Sequence, residues 1–393
     1  MSLRVLVVTK IFPNALEPLS SPFNRQQFAA LARRCEVSVL ATIPWFPGAR
    51  AFARWSAAGR LFGVPAREVI DGMSVRHPRT LFVPRFGHAL SAALYAASIA
   101  PTVLRHHRAV DVVLGSWAYP DGAAAVALGR LLGVPSVVKL HGSDINVVAA
   151  MPGPRRNLRL ALPRAARVVA VSRALADEAV RLGVRRERVA VVENGVDRAL
   201  FRPLDRAAAR AQLDLPPDGK LLLYVGRLER QKGVIDLLLA FARLAPRRPD
   251  LRLALVGDGA ARQECARLAA GIGPQVRLVG ARPLAEVPLH MAASDAVTLP
   301  SWAEGSPNAV LEALACGRPV VAARVGGVPE IVTSPSLGEL VLPHDPTALA
   351  AALERTADGQ FDATAIAASA RGSWDESAAR LFDVLRAAVE ETA

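Results

Sequence analysis

Short runs of Val, Leu, Ile and Ala, each about five residues long, recur along the chain. Between them lie longer stretches whose apolar positions fall three and four apart, the spacing of one helix face. In the first half the runs predict strands near 5–9, 37–40, 112–115, 136–140, 168–171 and 189–192. In the second they predict strands near 221–225, 253–256, 276–279, 296–299, 320–322 and 340–342. The runs are apolar at consecutive positions, as in parallel strands covered by helices on both faces. Strand and helix signals alternating in this way predict an α/β fold with two Rossmann-like halves. Ligands of open parallel sheets bind at the carboxyl ends of the strands, so two such halves are expected to share a cleft.

The rhythm lapses at 194–219, a polar, Pro-containing stretch that includes DRALFRPLD and DLPPDG. The predicted boundaries are an N-terminal domain over 1–198, a C-terminal domain over 199–372, and a closing helical segment over 373–393. At 393 residues and 52% hydrophobic, the chain can fill two cores. Cys35, Cys265 and Cys316 are scattered, without metal-ligand spacing, which suits reduced thiols in a cytoplasmic protein. MSLRVLVVTK runs straight into a strand-type segment and does not read as a signal peptide. Residues 86–104 carry no charge, but they are Ala-rich, include His88 and meet Pro101, and they read as a buried helix rather than a membrane span.

Charge changes the picture once it is divided. The chain carries +13 overall, yet residues 1–198 hold 27 basic against 12 acidic side chains, leaving the remainder slightly negative. A basic first half points to an anionic partner: nucleic acid, an acidic membrane surface or an anionic substrate. Residues 45–62, WFPGARAFARWSAAGRLF, interleave aromatics with Arg50, Arg54 and Arg60. They read either as a helix at a membrane interface or as a domain helix with solvated arginines.

Two segments carry candidate chemistry. The predicted strand 221–225 ends in GRLERQKG, residues 226–233. Gly226 turns the chain, Gly233 opens the next helix, and Arg227 and Lys232 flank the loop between, a pocket suited to a pyrophosphate. The second segment is EGSPNAVLEALACGRPVVAARVGGVPEIV, residues 304–332. Here Pro307 fits the first position of a helix reaching about Cys316, with Ser306 as its cap, and the amides around 306–309, Asn308 among them, are expected to face a donor phosphate or sugar hydroxyls. Glu304 precedes that helix and Glu312 lies inside it. A carboxylate accepts paired hydrogen bonds from vicinal hydroxyls, so one acid suits a sugar and the other a ribose. Spacing alone also allows a capping acid and a solvated helix residue.

VGRLxxxKG followed by E-x7-E resembles the signature of glycosyltransferase family 4. Further matches are HGSDIN at 141–146, AVSRAL at 170–175, VENGVD at 192–197, LVGDG at 255–259 and SDAVTLPSWAEG at 294–305. The resemblance implies the GT-B fold, two facing Rossmann-like domains with parallel sheets, and a final helix that crosses back to the first domain, with Trp374 as its packing anchor. It implies that Arg227 and Lys232 bind the donor diphosphate, that Glu304 meets the donor sugar, and that Glu312 holds the ribose. It further implies that His141 lies at the donor sugar near the reaction centre, with Asp144 in the same motif, and that Arg282 approaches the base. The loop IFPNALEPLSSPFNRQQF departs from the family's glycine-rich loop. Its FPN and FNRQQF resemble a bacterial subgroup that assembles teichuronic acids and exopolysaccharides, and Asn24 and Arg25 open the following helix on the acceptor side.

The expected activity is transfer of a hexosyl group, with retention, from a UDP- or GDP-linked donor to a glycan or lipid-linked acceptor. No Asp-x-Asp occurs in the sequence, so neither a metal nor another cofactor is expected, and Arg227 and Lys232 take the metal's electrostatic role. The expected location is the cytoplasm, peripheral on the inner face of the membrane. A nucleotide-sugar epimerase or hydrolase would share the architecture. A nucleic-acid binder is suggested by charge alone and leaves the acidic pair unexplained, so nucleic acid is not an expected partner.

Overall fold

A computed structural model of the chain describes residues 2–52, 56–81, 90–107 and 109–392. The chain folds as two compact units, 1–194 with 374–393, and 195–373.

The strands of the first unit are β1 Arg4–Thr9, β2 Glu36–Ala41, β3 Ile43–Trp45, β4 Arg67–Ile70, β5 Met73–Arg76, β6 Arg79–Leu81, β7 Val112–Ser116, β8 Ser136–Leu140, β9 Arg167–Ala170 and β10 Val189–Val191. Eight of them form one sheet in the order β10-β9-β8-β7-β1-β2-β5-β4, and β3 pairs with β6 alongside. All its pairings are parallel except the β4–β5 hairpin. Val5, Leu6, Val7 and Val8 are all buried, so β1 presents apolar side chains to helices on both faces. The order reverses between β1 and β7, which makes their carboxyl ends the natural ligand crevice of this unit. The helix Trp374–Glu390 returns to this unit, burying Trp374, Leu381 and Leu385 in the same cluster as Phe28 and Leu31.

The second unit carries β11 Lys220–Val225, β12 Leu251–Val256, β13 Val276–Gly280, β14 Ala296–Leu299, β15 Val320–Ala323 and β16 Gly338–Val341. They make a wholly parallel sheet in the order β13-β12-β11-β14-β15-β16. The order reverses between β11 and β14, directly below the two motif loops.

Three local expectations need correction. β3 to β6 lie in a stretch with no predicted strands. The Asp71-Gly72 turn, with φ 49° and 79°, is the two-residue hairpin signal that could have found β4 and β5. The 45–62 stretch is not one helix among the described residues. β3 gives way to 3₁₀ turns at Ala49–Phe52 and Leu61–Gly63 around a short helix, Ala57–Arg60, because Gly48 turns the chain at φ 81° and Ser56 caps a new start. Arg54 lies outside the described residues, as do residues 86–89, including His88. The rest of that second stretch forms the helix Ser91–His106, which buries Tyr95, Ile99 and Val103 and leaves other positions exposed. No helix among the described residues is long and apolar enough to cross a membrane.

From 195 to 219 the stretch is a built part of the second unit. It contains the helix Arg206–Gln212, capped by Asp205. Arg210 is buried there and donates to the carbonyls of Pro217, Gly219 and Ala293 and to the Asp295 carboxylate.

Candidate functional site

In the second unit the site begins where β11 ends. The Tyr224 hydroxyl, itself buried, donates to the Arg227 carbonyl at 2.7 Å and so fixes the turn through Gly226. A single 3₁₀ turn, Arg230–Lys232, follows, and Gly233 starts the next helix at φ 67°. A Cβ on Gly233 would stand 1.9 Å from the Pro300 carbonyl oxygen, so glycine is required both by its dihedral and by the neighbouring loop. That approach, with the Trp302 N–H donating to the Gln231 carbonyl at 2.9 Å, joins the loop after β11 to the loop after β14.

The junction brings Lys232 and Glu304 together, Nζ to Oε1 at 2.7 Å, with both side chains largely withdrawn from solvent. On the far side of Glu304, Gly326 sits at φ 50° with space for no side chain, since a Cβ would lie 1.8 Å from the Glu304 carbonyl oxygen. The Gly327 N–H donates to the Gly305 carbonyl at 3.0 Å, completing the clasp. Glu304 is therefore held by two segments distant in sequence.

The other expected donor residues are placed less tightly. Arg227 is exposed and paired with Glu229 at 2.9 Å. Glu312 is half-buried in the helix Asn308–Ala315, and its carboxylate makes no hydrogen bond to a described residue. Burial pushes its pKa up to about 7. That helix starts one residue later than expected. Pro307 is the cap, at φ −74° and ψ 116°, and its carbonyl accepts from the Val310 and Leu311 N–H groups, while Ser306 precedes it. Proline's fixed φ suits either position, so its type could not decide between them. Arg282 turns towards the Val279 carbonyl and Glu286. It lines a separate cavity of about 190 Å³ with Arg277 and His290.

In the first unit the candidates gather at the β1–β7 reversal. His141 follows β8, and its Nε2 lies 2.9 Å from the Ser116 hydroxyl at the end of β7. Its ring is flanked by Phe23 and Trp117, with centroids at 5.3 and 6.0 Å. Burial, with Lys139 nearby, holds the imidazole's pKa well below its ordinary value, so the ring is neutral. Asp144 is fully buried and accepts from the N–H groups of Ala118, His141, Gly142 and Ile145, which fixes the bend after β8. Burial raises its pKa, and those donors oppose the rise.

Asn24, expected on the acceptor side, is fully buried with its amide engaged by the Ile11 carbonyl and the Ser116 hydroxyl. Arg25 is half-exposed and forms a two-point ion pair with Asp71 at 2.7 Å.

Sequence reasoning missed Ser116, Trp117 and Lys139. Trp117 carries φ 133°, rare for a residue other than glycine, and Lys10 stands 5.4 Å over its ring. Lys139 is fully buried in β8 and donates to the Gln27 side-chain oxygen. Gln27 in turn donates to Ser377, whose hydroxyl donates to the Glu193 carbonyl. Desolvation lowers the Lys139 pKa to about 7. A lysine inside an apolar strand run, two residues before a motif histidine, was the signal available.

Comparison with known proteins bears on both units. Residues 24–200 match the family described as Glycosyltransferase Family 4, and residues 219–358 the family described as Glycosyl transferases group 1. D-inositol 3-phosphate glycosyltransferase 1 of Catenulispora acidiphila is 34% identical, over 85% of this chain and 85% of that protein. TuaC of Bacillus subtilis, assigned as a teichuronic acid biosynthesis glycosyltransferase, is 28% identical over 90% of this chain and 89% of its own length. Among solved structures, Anabaena HepE in complex with UDP superposes with TM-score 0.72 at 24% identity, covering 98% of this chain and all of that one (100%). Sucrose-phosphate synthase from Thermosynechococcus elongatus gives TM-score 0.72 at 21% identity, covering 99% and 97% of the two chains, a likeness of fold.

Proposed function

Because the chain belongs to glycosyltransferase family 4 and has the GT-B fold, we propose that it transfers a hexosyl group, with retention and without a metal, from a UDP- or GDP-linked donor. The observation that carries this reading is the Lys232–Glu304 pair held at the sheet's reversal point by the loops after β11 and β14. Breaking the bond from sugar to diphosphate builds negative charge on the phosphate and positive charge on the ring. Lys232 and the exposed Arg227 take the first, as cations placed on the loop after β11. Glu304 binds the sugar, Glu312 the ribose, and His141 a sugar hydroxyl. Same-face attack follows, with the acceptor hydroxyl passing its proton to the departing phosphate.

UDP is the first donor nucleotide to test, since a solved structure of the same fold is a UDP complex. Calorimetry with UDP, GDP, ADP and dTDP in the absence of metal should show selective binding of one nucleotide, weakened in Lys232→Ala. Binding that appears with magnesium alone would refute the metal-free mechanism. An inverted anomeric linkage in the product, read by NMR, would refute retention. Free sugar released without acceptor would favour a hydrolase instead.

We propose an acceptor among glycans or lipid-linked glycans of cell-surface polysaccharide assembly, a reading supported by the likeness to TuaC, which is named for teichuronic acid biosynthesis. In support, Leu16, Leu19, Phe52 and Phe62 are all exposed in the first unit. Arg50 and Arg79 stand over the Phe62 ring, and Arg60 pairs with Glu17, so cations accompany part of this exposed apolar set. Such a surface suits the headgroup region of an anionic bilayer. Flotation with anionic vesicles should carry the protein upward, and Phe52→Ser with Phe62→Ser should abolish it. A phosphorylated polyol is the second reading of the acceptor, favoured by the D-inositol 3-phosphate glycosyltransferase relative. Product formation with inositol phosphate and not with lipid-linked glycan would select it.

A further inference from the structure

The hydrogen bonds beneath His141 form a chain whose direction can be read from one end to the other. The Asn24 Nδ2 lies 2.8 Å from the Ile11 carbonyl oxygen. A carbonyl can accept but not donate, so the amide nitrogen must face Ile11 and the amide oxygen must face the other way. That oxygen, Oδ1, lies 3.2 Å from the Ser116 hydroxyl. Since Oδ1 also only accepts, the single hydroxyl proton of Ser116 is committed to it. The Ser116 oxygen is then left to accept, and its other partner, at 2.9 Å, is His141 Nε2. In a neutral imidazole one nitrogen carries the proton and the other a lone pair. Nε2 must carry it here, and Nδ1 has the lone pair, with no hydrogen bond to a described residue.

The supports of this chain are themselves fixed. Asn24 and Ser116 are fully buried, and the Ser116 backbone carbonyl accepts from the buried Thr9 hydroxyl at 2.9 Å. Thr9, Ile11, Asn24, Ser116 and His141 come from the first strand, the loop after it, the next helix and the ends of two further strands. Neutrality is secured separately, by burial and by the Lys139 amine on the strand that leads to it.

We infer that Asn24 and Ser116 are positioning residues that fix His141 as the Nε2–H tautomer, so that it meets the donor sugar as a hydrogen-bond acceptor at Nδ1. The consequence for the sugar rests on the function proposed above; the tautomer does not. A histidine locked in this form accepts from a sugar hydroxyl and has no proton of its own to give at that atom. It therefore orients the sugar and does not act as a general acid.

The test is proton-detected nitrogen NMR on the full chain with 15N-labelled histidine, the His141 signals being identified by their loss in His141→Gln. Expected in the wild type is a protonated Nε2 and a pyridine-type Nδ1 at pH 7.5. Ser116→Ala should shift the proton partly or wholly to Nδ1, and Ser116→Thr, which keeps the hydroxyl, should restore Nε2–H. Should Ser116→Ala fail to fold, Asn24→Ala tests the same chain by freeing the Ser116 proton. A wild-type proton on Nδ1, an imidazolium at that pH, or a tautomer unchanged in both variants would overturn the inference. Removing one such buried partner should lower kcat/KM for the donor roughly 10- to 100-fold, with recovery in Ser116→Thr. The NMR result holds without turnover, so a chain inactive on every donor would refute the proposed function and leave the tautomer assignment standing.

Discussion

The second unit presents its chemistry as charge, whereas the first presents it as neutral groups sunk in protein. Lys232 and Glu304 form an ion pair at 2.7 Å, with the exposed Arg227 pairing Glu229 on the same loop. His141 instead rests on an uncharged serine and asparagine, and Asp144 beside it is spent on backbone N–H groups. The two loops of the second unit need glycine, at 233 and 326, because backbones approach each other closely. The first unit obtains its precision from side-chain amides and hydroxyls with one allowed direction each. The difference teaches that charge suits a site where charge must develop during reaction, while a desolvated neutral site suits orientation of hydroxyls.

The largest effect should come from Lys232→Ala. On the role proposed for Lys232, a preorganised cation for the leaving phosphate, its removal should lower kcat about 10²- to 10³-fold, measured by product formation at saturating donor. A loss confined to KM would mean that Lys232 binds ground and transition states alike, and would erase the distinction between the two units.

Lys139 tests the first unit through stability. Its folded pKa of about 7 lies below its ordinary value of 10.5, so between those limits the unfolded chain binds more protons than the folded one. Wild-type stability should therefore rise as pH goes from 7 towards 10. Lys139→Met should remove that slope, while the Gln27 side-chain oxygen it leaves unpaired should cost about 1–3 kcal/mol against the gain from the missing charge. Urea unfolding at pH 7, 8 and 9 measures both, and parallel slopes in the two proteins would contradict the burial argument.

The smallest expected effect concerns Glu312, which lies in the charged unit yet is itself desolvated. With its pKa near 7, it is substantially protonated at neutral pH, and the proposed paired hydrogen bonds from two ribose hydroxyls need its ionised form. Nucleotide affinity should rise roughly tenfold between pH 6 and pH 8 in excess of the slope of Glu312→Gln, by calorimetry. Equal slopes would separate Glu312 from the ribose.

The sequence by itself determined the two parallel α/β units, the strands that lead into each motif, and the loops that carry Lys232, Glu304 and His141. These follow from local periodicity and from glycines at strand ends, which neighbouring residues alone can specify. The same reading passed over β4 and β5 although Asp71-Gly72 marked their turn, and set the helix at 308 one residue early because proline fits both positions. Tertiary structure alone decided the rest. It gave the strand orders, the burial that lifts Glu312, and the clasp of Gly326 on Glu304. It also turned Asn24 from an expected acceptor-side residue into the end of a buried chain leading to His141. Burial and hydrogen-bond direction depend on which distant segments close over a side chain, and no window of sequence contains that information.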